Sequence, residues 1–198
     1  MAGMGDYLMI DYYASGRNLF STDNAFEFGK KAAGKKPLLV LLTGFYRTDP
    51  KVSGFNPSIS DARYAAFAAL RMKINAIGLY QCGQFRMENY PEVWTEAKKL
   101  YKQVSALTFI TEGIDVSGQV KVSGGSEVRY LALEYADRLY IIVQNASFEA
   151  AAADFTLPEK YRGQVMVLFE NRTIANREGK FTDSFGSAGT HVYCITAK

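Results

Sequence analysis

The sequence predicts an α/β half followed by an all-β half, on the basis of two observations. In the first half, three apolar segments each precede a segment with helical periodicity or high alanine content. Repeated strand–helix units are joined by right-handed crossovers, which makes their strands parallel. In the second half, short segments rich in β-branched and aromatic residues alternate with Gly, Ser and Asp turns. That pattern is typical of a small antiparallel β-sandwich.

The clearest strand of the first half is a continuous apolar run, 38–42, which lies between Pro37 and Gly44. A run of this kind favours a strand that is buried on both faces. Such strands belong to parallel sheets that are covered by helices. Residues 7–13 and 76–80 are predicted as two further strands of the same sheet. In parallel sheets of this kind the chemistry lies at the carboxyl ends of the strands.

Each of the three strands is predicted to be followed by a helix. The first helix covers about 24–33, because the polar residues 21–23 are good caps and Gly34 is well placed to end it. The second is an alanine-rich helix over about 61–74. The third covers about 91–109, where apolar residues recur every three or four positions and therefore share one face.

The second half is predicted to consist of short strands joined by turns. Ala136 and Asp137 form the turn of a hairpin, and a further turn is predicted at 177–180. The change of pattern divides the chain into an α/β domain, 1–112, and a β domain, 113–198. The predicted strands of the β domain are 119–123, 128–135, 139–145, 153–157, 164–170 and 190–196.

Composition and charge exclude several classes of function. The formal net charge is +3, from 23 basic and 20 acidic residues, with no basic stripe that would indicate nucleic acid binding. Two distant cysteines and a single histidine do not have the spacing of a metal site or of a disulfide framework. We therefore expect no metal and no cofactor. The sequence also lacks a signal peptide and an apolar run of membrane-spanning length, so we expect a soluble protein, cytoplasmic by default.

Three blocks of the sequence occur in an order found in a known family. The first, 11–13 (Asp-Tyr-Tyr), ends a predicted strand, and the second, 61–80, is an alanine-rich helix that leads into a short strand with Gly. The third combines 169–172, 179–185 and 191–193. In these blocks the chain resembles the carboxyl-terminal part of a glycoside-hydrolase-like TIM barrel followed by its small β-sandwich domain.

The resemblance implies a partial (β/α)8-type barrel segment of three βα units, with 7–13, 37–42 and 76–80 as the last three barrel strands. It also implies that the first five barrel strands are missing from this chain. Glycosidases usually need two carboxyl groups that face one another across the scissile bond. The resemblance places the acid/base after the missing fourth strand and a nucleophilic Glu at the end of the seventh. This sequence has Thr43 and Gly44 there, so no catalytic residue is assigned.

Polar and aromatic side chains near the carboxyl ends of the predicted strands are candidates for binding a carbohydrate. A carboxylate or an amide can hydrogen-bond sugar hydroxyls, and aromatic rings can stack on sugar faces. The alternative for the carboxylate is a loop cap or an ion pair with Arg17 or Arg47. For the aromatic residues, to which Tyr12 and Phe45 are added, the alternative is packing. The substrate-binding candidates are Asp11, Tyr13, Tyr46 and Gln81.

The charged residues of the β domain are predicted to have structural roles. Asp154, Glu170 and Asp183 are assigned to turns and surface. His191 lies in a predicted strand without an identifiable Ser or Asp partner, which favours a structural role over catalysis.

Three functions are compatible with these observations. The first is the carboxyl-terminal portion of a glycoside-hydrolase-like protein, which would hydrolyse O-glycosyl bonds when completed by the missing half of the barrel. The second is a non-catalytic carbohydrate-binding module. The third is a structural or oligomerising subunit, because half a barrel leaves a sheet edge and an apolar face uncovered. The expected partners are a carbohydrate ligand and either further copies of the chain or a complementing chain, with no nucleic acid and no membrane.

Overall fold

A computed structural model describes residues 5–12, 19–43, 59–80, 91–107, 109–125 and 127–197. The chain forms two compact units, Met1–Ala106 (unit 1) and Leu107–Lys198 (unit 2). Among the described helices, none combines the length and the apolar character needed to cross a membrane.

Within its described ranges, unit 1 alternates three strands with three helices, as the repeated strand–helix pattern predicts. The strands form one parallel sheet in the order β1-β2-β3, so the apolar run of the sequence is the central strand. The elements are β1 (Leu8–Tyr12), α1 (Leu19–Ala33), β2 (Leu38–Thr43), α2 (Ile59–Arg71), β3 (Ala76–Tyr80) and α3 (Pro91–Ser105).

The central strand, β2, is fully buried on one face only. Leu38, Val40 and Leu42 are at most 2% exposed. The helix α1 packs directly on this face, because a Cβ added at Gly29 would lie 3.0 Å from Ile10 Cδ1 and 3.3 Å from a methyl of Leu38. The same strand's alternate residues, 39 and 41, are only half-buried. The prediction of a strand buried on both faces is therefore correct for the helix-covered face and wrong for the other.

The first helix begins earlier than the sequence predicts, at Leu19, and the polar residues predicted to cap it lie inside it. Thr22 and Asp23 are buried. The Tyr12 hydroxyl shares hydrogen bonds with Ser21 Oγ (2.9 Å) and Thr22 Oγ1 (3.0 Å), and Asp23 accepts from Arg71. These tertiary partners hold polar residues in a helix interior where local preference alone favours a cap.

The alanine-rich helix α2 is buried nearly all round. Every residue from Tyr64 to Leu70 is at most 9% exposed. The helix contacts β2, α1 and α3, and its small side chains let these neighbours approach closely. The helix ends at Arg71. Main-chain hydrogen bonds from Met72 and Ile74 back to Ala68 and Ala69 close its last turn, and Lys73 takes a left-handed conformation with φ of 54°.

The described residues of unit 2 form a short helix, a 3-10 turn and two antiparallel sheets. The larger sheet has the strand order β10-β9-β12-β7-β6-β4, and the smaller has the order β11-β8-β5. The elements are α4 (Phe109–Glu112), β4 (Ile114–Asp115), the 3-10 turn (Ser117–Gln119), β5 (Lys121–Gly124), β6 (Val128–Tyr135), β7 (Arg138–Asn145), β8 (Ala151–Thr156), β9 (Val165–Val167), β10 (Arg172–Ile174), β11 (Lys180–Phe185) and β12 (Thr190–Thr196).

The two antiparallel sheets contribute to a single apolar core. Phe155 and Phe181 of the smaller sheet stack with their ring centroids 4.5 Å apart, and both meet the ring of Tyr193 of the larger sheet edge-on. Ile141 and Val165 of the larger sheet are fully buried in the same cluster. The alternation of buried and exposed residues along β8 and β11 therefore points one face of the smaller sheet into this core and leaves the other face outside.

Two tight turns of unit 2 lie where the sequence predicts them. Ala136 and Asp137 join β6 to β7, with φ of 48° and 58°. Glu178 and Gly179, with φ of 54° and 81°, form the second turn. Two consecutive residues with positive φ are the mark of the hairpin turn whose twist matches that of its strands.

Candidate functional site

The carboxyl edge of the parallel sheet is the first place to look for a site, because ligands of such sheets bind beyond the carboxyl ends of the strands. The strands end at Tyr12, Thr43 and Tyr80. Of the four predicted binding residues, only Asp11 is described. The other three lie outside the described residues: Tyr13, Tyr46 and Gln81.

Asp11 lies on the sheet face opposite the helices, at the end of β1. In register it stands beside Leu41, which in turn stands beside Gly78. The residue is exposed. Its two alternative partners in the sequence, Arg17 and Arg47, lie outside the described residues. The position of Asp11 next to the carboxyl end of β1 is the one in which ligands of parallel sheets bind.

Tyr12 points the other way and belongs to the packing of unit 1. Its ring meets Phe26 of α1 edge-on, with centroids 5.4 Å apart. Its hydroxyl is shared with Ser21 and Thr22. Of the two interpretations offered by the sequence, sugar stacking and packing, the geometry of Tyr12 supports packing.

The face that carries Asp11 is otherwise apolar. We define the open face as Met9, Asp11, Leu39, Leu41, Ala76 and Gly78, which the strand register places in two rows. Met9 is 52% exposed. A Cβ added at Gly78 would lie only 2.6 Å from a methyl carbon of Leu41, so the leucine side chain leans over the glycine. The open face is therefore apolar except for the carboxylate of Asp11.

The described part of this edge contains one carboxyl group, whereas a glycosidase needs two. Among the last two residues of each strand, Asp11 is the sole acidic one. Hydrolysis with inversion or retention requires a second carboxyl group across the bond. The described edge can therefore hydrogen-bond a sugar hydroxyl through Asp11, but it does not contain a catalytic pair.

A second polar arrangement lies in unit 2, and we call it the charged cluster. It joins three strands and the turn before one of them, and it was not anticipated from the sequence. Its members are Glu170, Arg172, Asp183, His191 and Tyr193.

The guanidinium of Arg172 is the centre of the charged cluster. Its Nε donates to Glu170 Oε2 at 2.8 Å. Its two terminal nitrogens donate to Asp183 Oδ1 and Oδ2 at 3.1 and 2.8 Å. Asp183 also accepts from the Tyr193 hydroxyl at 2.7 Å, and Glu170 Oε1 is hydrogen-bonded to His191 Nδ1. Both carboxylates are thus engaged from two directions.

These contacts set the electrostatics of the charged cluster. Burial opposes ionisation of Asp183, but hydrogen bonds from Arg172 and Tyr193 outweigh it and hold the pKa of this carboxyl below its usual value. Burial, together with the bond to Asp183, raises the pKa of the Tyr193 hydroxyl. An acid/base catalyst needs a pKa near the working pH, and these shifts move both groups away from it. The hydrogen bonds of the charged cluster connect β10, β11 and β12.

The sequence assigned Glu170 and Asp183 to turns and surface, and it identified no partner for His191. The partner of the His191 imidazole is Glu170, a residue that the sequence analysis did not consider as its partner. One signal was available: His191 and Tyr193 are polar-tipped residues spaced by two in an otherwise apolar strand, so they share a face. Within the described ranges, no group of three or more His, Cys, Asp or Glu side chains could hold a metal ion.

No protein family model and no curated protein matches the sequence. Solved structures do match the fold. A Geobacillus stearothermophilus β-L-arabinopyranosidase of family GH27, in complex with arabinose, matches with a TM-score of 0.63 and 9% identity. An α-amylase from Geobacillus thermoleovorans, complexed with acarbose, matches with a TM-score of 0.61 and 16% identity. A maltogenic α-amylase, AmyB, from Thermotoga neapolitana matches with a TM-score of 0.55 and 11% identity.

These matches cover most of this chain but less than half of the other proteins. The arabinopyranosidase match covers 100% of this chain and 46% of that chain. The corresponding shares are 88% and 42% for the first α-amylase and 92% and 47% for AmyB. The chain therefore has the fold of part of a glycoside hydrolase, as the resemblance in its sequence implied.

Proposed function

We propose that the chain is the carboxyl-terminal portion of a glycoside-hydrolase-like, carbohydrate-active protein. In this proposal, residues 1–112 are the last three βα units of a (β/α)8 barrel and residues 113–198 are its β-sandwich domain. A carbohydrate binds at the carboxyl edge of β1, β2 and β3. Hydrolysis of O-glycosyl bonds requires the remaining βα units, which supply at least one catalytic carboxyl group.

One observation carries this proposal. The chain, with three parallel strands followed by antiparallel sheets, matches part of several glycoside hydrolases with TM-scores of 0.55 to 0.63. In a closed barrel the inner face of every strand packs against the other strands' side chains. Leu39 and Leu41 are half-buried and Met9 is exposed. This partial exposure is expected for the inner face of a barrel from which part of the strands is absent.

The strand order supports the same need for completion. The strands β1 and β3 each have one hydrogen-bonded neighbour among the described strands. Their outer edges therefore offer unpaired backbone groups to further parallel strands. We propose that a complementing chain, or further copies of this chain, covers these edges and the open face.

Titration with neutral oligosaccharides tests the proposed site. Glucose, galactose, xylose and arabinose oligomers would be added to the isotope-labelled chain, and amide shifts of β1 to β3 would be followed by NMR. We expect weak binding at the carboxyl edge that is lost in Asp11→Ala. The matched control is Asp6→Ala, since this exposed aspartate lies at the opposite end of the same strand. Absence of binding by every sugar would contradict the proposed site.

Hydrolysis assays test the need for completion. The purified chain alone should not cleave nitrophenyl glycosides, because the described edge holds one carboxylate where two are needed. Cleavage by the purified chain, abolished by Asp11→Asn, would show that the catalytic pair is complete without further βα units, contrary to the proposal.

A second candidate is a non-catalytic carbohydrate-binding module of the same fold. The observation that favours it is the absence of Glu where the family's nucleophile would lie, at Thr43 and Gly44. Under this alternative, sugar binding at Asp11 persists, while addition of a complementing barrel half produces no hydrolysis. Both candidate functions predict the same result in the titration with sugars. They differ in hydrolysis by the completed protein, which only the first candidate predicts.

A further inference from the structure

The outer face of the smaller sheet in unit 2 is polar and carries several cations. Along β8 and β11, Phe155 and Phe181 point into the core, so the residues that alternate with them point outward. The outward residues Asp154, Lys180 and Thr182 are exposed. This face belongs to neither the carboxyl edge of unit 1 nor the charged cluster.

Strand register arranges these outward residues in two rows. In the first row, Thr156 of β8 lies between Lys121 of β5 and Lys180 of β11. In the second, Asp154 lies between Ser123 and Thr182, with its Oδ1 accepting a hydrogen bond from Thr182 Oγ1 at 2.5 Å. The face therefore offers two cations with a hydroxyl between them, next to a row of hydrogen-bonding groups.

A tight turn adds a third cation to the first row. Arg177 and Lys180 exchange two main-chain hydrogen bonds, each of 2.9 Å, across the turn at Glu178 and Gly179. A pair that exchanges both bonds has its side chains directly opposite one another on the same side. Like charges in that position are destabilising. The turn thus brings two positive charges together at an energetic cost.

Neither of these two cations is neutralised within the part of the chain that the structure describes. There, the side chains of Arg177 and Lys180 form no ion pair and no hydrogen bond. Both residues are exposed. By contrast, Arg162 and Arg172 of the same unit each have a carboxylate partner. Two opposed, unpaired cations are the arrangement that a bound anion would relieve.

The two cations line a groove of a size suited to a small molecule. Its volume is about 470 Å³, within the range of roughly 300 to 1,000 Å³ that is common for ligand sites. The side chains of Asp154, Thr156 and Thr182 supply hydroxyl and carboxylate groups to the same groove, and Ile174 supplies an apolar wall.

We propose that this groove binds a hydroxyl-bearing small molecule that carries a carboxylate or a phosphate, such as a uronic acid or a sugar phosphate. The anionic group lies between Arg177 and Lys180. An arginine can hold a carboxylate or a phosphate through two parallel hydrogen bonds. The ligand's hydroxyls meet Thr156 and Asp154. This site is independent of the carboxyl edge, so it stands or falls separately from the proposed function.

Titration of the full isotope-labelled chain tests the inference. The probes are a trimer of galacturonic acid, glucose 6-phosphate, inorganic phosphate and neutral maltotriose. We expect the anionic sugars to shift amides of residues 154–156 and 177–182. Affinity should fall several-fold when NaCl is raised from about 50 to about 300 mM, because exposed charges are screened by salt. Maltotriose should leave these amides unchanged.

Matched double variants assign the effect to the two cations. Arg177→Gln with Lys180→Gln should weaken binding by about tenfold or more, since two charge-assisted hydrogen bonds are lost. The control is Lys31→Gln with Lys35→Gln, which removes the same charge from exposed lysines of unit 1 and should leave binding unchanged. The amide spectrum of each variant reports whether it is folded, and Lys180→Gln alone provides a milder variant with an intermediate loss.

The outcomes separate the two sources of the anion and can overturn the inference. Binding of the galacturonate trimer alone identifies a carboxylated sugar, and binding of glucose 6-phosphate alone identifies a phosphorylated one. Binding of inorganic phosphate as tightly as glucose 6-phosphate would contradict a role for the ligand's hydroxyls. Binding of none of the anions, equal binding of maltotriose, or equal loss in both double variants would overturn the proposal.

Discussion

Arg172 shows how a single side chain can hold several strands of unit 2 together. Its guanidinium binds Glu170 and Asp183 at once, and its side chain is only 35% exposed. Glu170 lies in the turn before β10 and Asp183 lies on β11. Their further partners, His191 and Tyr193, lie on β12. Sequence could not predict this arrangement, because β10 is three residues long and has no alternation from which to recognise it. The sequence shows which charged and polar residues are present, but it does not show which of them contact one another in the fold.

We expect Arg172→Gln to destabilise unit 2 by about 1–2 kcal/mol. The change leaves two partly buried carboxylates without their cation, and the cost of breaking a fully buried pair, about 3–5 kcal/mol, is reduced here by solvent. Hydrogen exchange of the amides in β9, β10 and β12 measures the free energy of opening. The control is Arg162→Gln, which breaks an exposed pair with Glu159 and should cost less than about 0.5 kcal/mol. Equal effects of the two variants would show that the charged cluster does not stabilise unit 2 more than an exposed ion pair does.

The depressed pKa of Asp183 predicts how stability depends on pH. A carboxylate whose pKa is lower in the folded state stabilises that state above the unfolded pKa of about 3.9, and the contribution is lost as pH falls through the folded-state pKa. We therefore expect Asp183→Asn to be destabilising near neutral pH and its cost to shrink below about pH 4. Urea unfolding of both proteins from about pH 7 to about pH 3 measures the difference. A cost that stays constant over this range would contradict the predicted linkage.

At the scale of elements, most boundaries follow from local sequence. The strand at Ala76–Tyr80, the strand at Thr190–Thr196 and the turn at Ala136-Asp137 lie where periodicity and turn chemistry predict them. The exceptions have tertiary causes. The helix α1 begins at Leu19 because its polar residues find partners in β1 and α2. The third helix ends at Ser105, and a separate helix, α4, begins at Phe109, whose ring stacks on Tyr140 at 3.8 Å.

The contact between Asp23 of α1 and Arg71 of α2 is a test of tertiary support for a helix. The two side chains are about one-tenth exposed and lie 2.6 Å apart. We expect Arg71→Met to destabilise unit 1 by about 3 kcal/mol, because Asp23 is left as a buried charge without this partner. Urea unfolding followed by the fluorescence of Trp94, the chain's single tryptophan, measures the change.

The control is a double variant. Asp23→Leu combined with Arg71→Met replaces the ion pair by apolar side chains, which is often neutral. It should recover most of the stability that Arg71→Met loses. If the double variant is less stable than Arg71→Met, the ion pair itself stabilises unit 1. The loss in the single variant would then not be explained by the cost of leaving Asp23 as a buried charge without Arg71.

At the scale of the whole molecule, sequence predicted an α/β half followed by an all-β half, and the chain forms two compact units, Met1–Ala106 and Leu107–Lys198. What sequence could not predict is which face of the parallel sheet is covered. A continuous apolar run such as 38–42 looks the same whether its second face meets helices, the inside of a barrel or solvent. The four residues of the candidate site illustrate the same difficulty, since their side chains meet only if the strands are in a particular sheet order.

The open face predicts that the isolated chain binds hydrophobic dyes and self-associates. Contiguous exposed apolar surface binds hydrophobic dyes and promotes association. We expect the chain to enhance the fluorescence of anilinonaphthalene sulfonate and to self-associate in sedimentation velocity, and we expect Met9→Lys to reduce both effects. The control is Phe28→Lys, because Phe28 is 73% exposed but lies on α1 and not on the open face. A wild-type chain that is monomeric and binds no dye would contradict the need for a covering partner.

The position of β12 has a consequence for the order in which unit 2 can be assembled. This strand pairs with β7 on one side and with β9 on the other, so it is the link through which β9 and β10 join the larger sheet. The hairpin of β6 and β7 needs only local contacts, whereas this link must wait until residues 190–196 have been synthesised. On the ribosome, β9 and β10 therefore leave the exit tunnel before their place in the sheet exists. Because non-local pairing is slow to form, we expect the insertion of β12 between β7 and β9 to be a late step in the folding of unit 2.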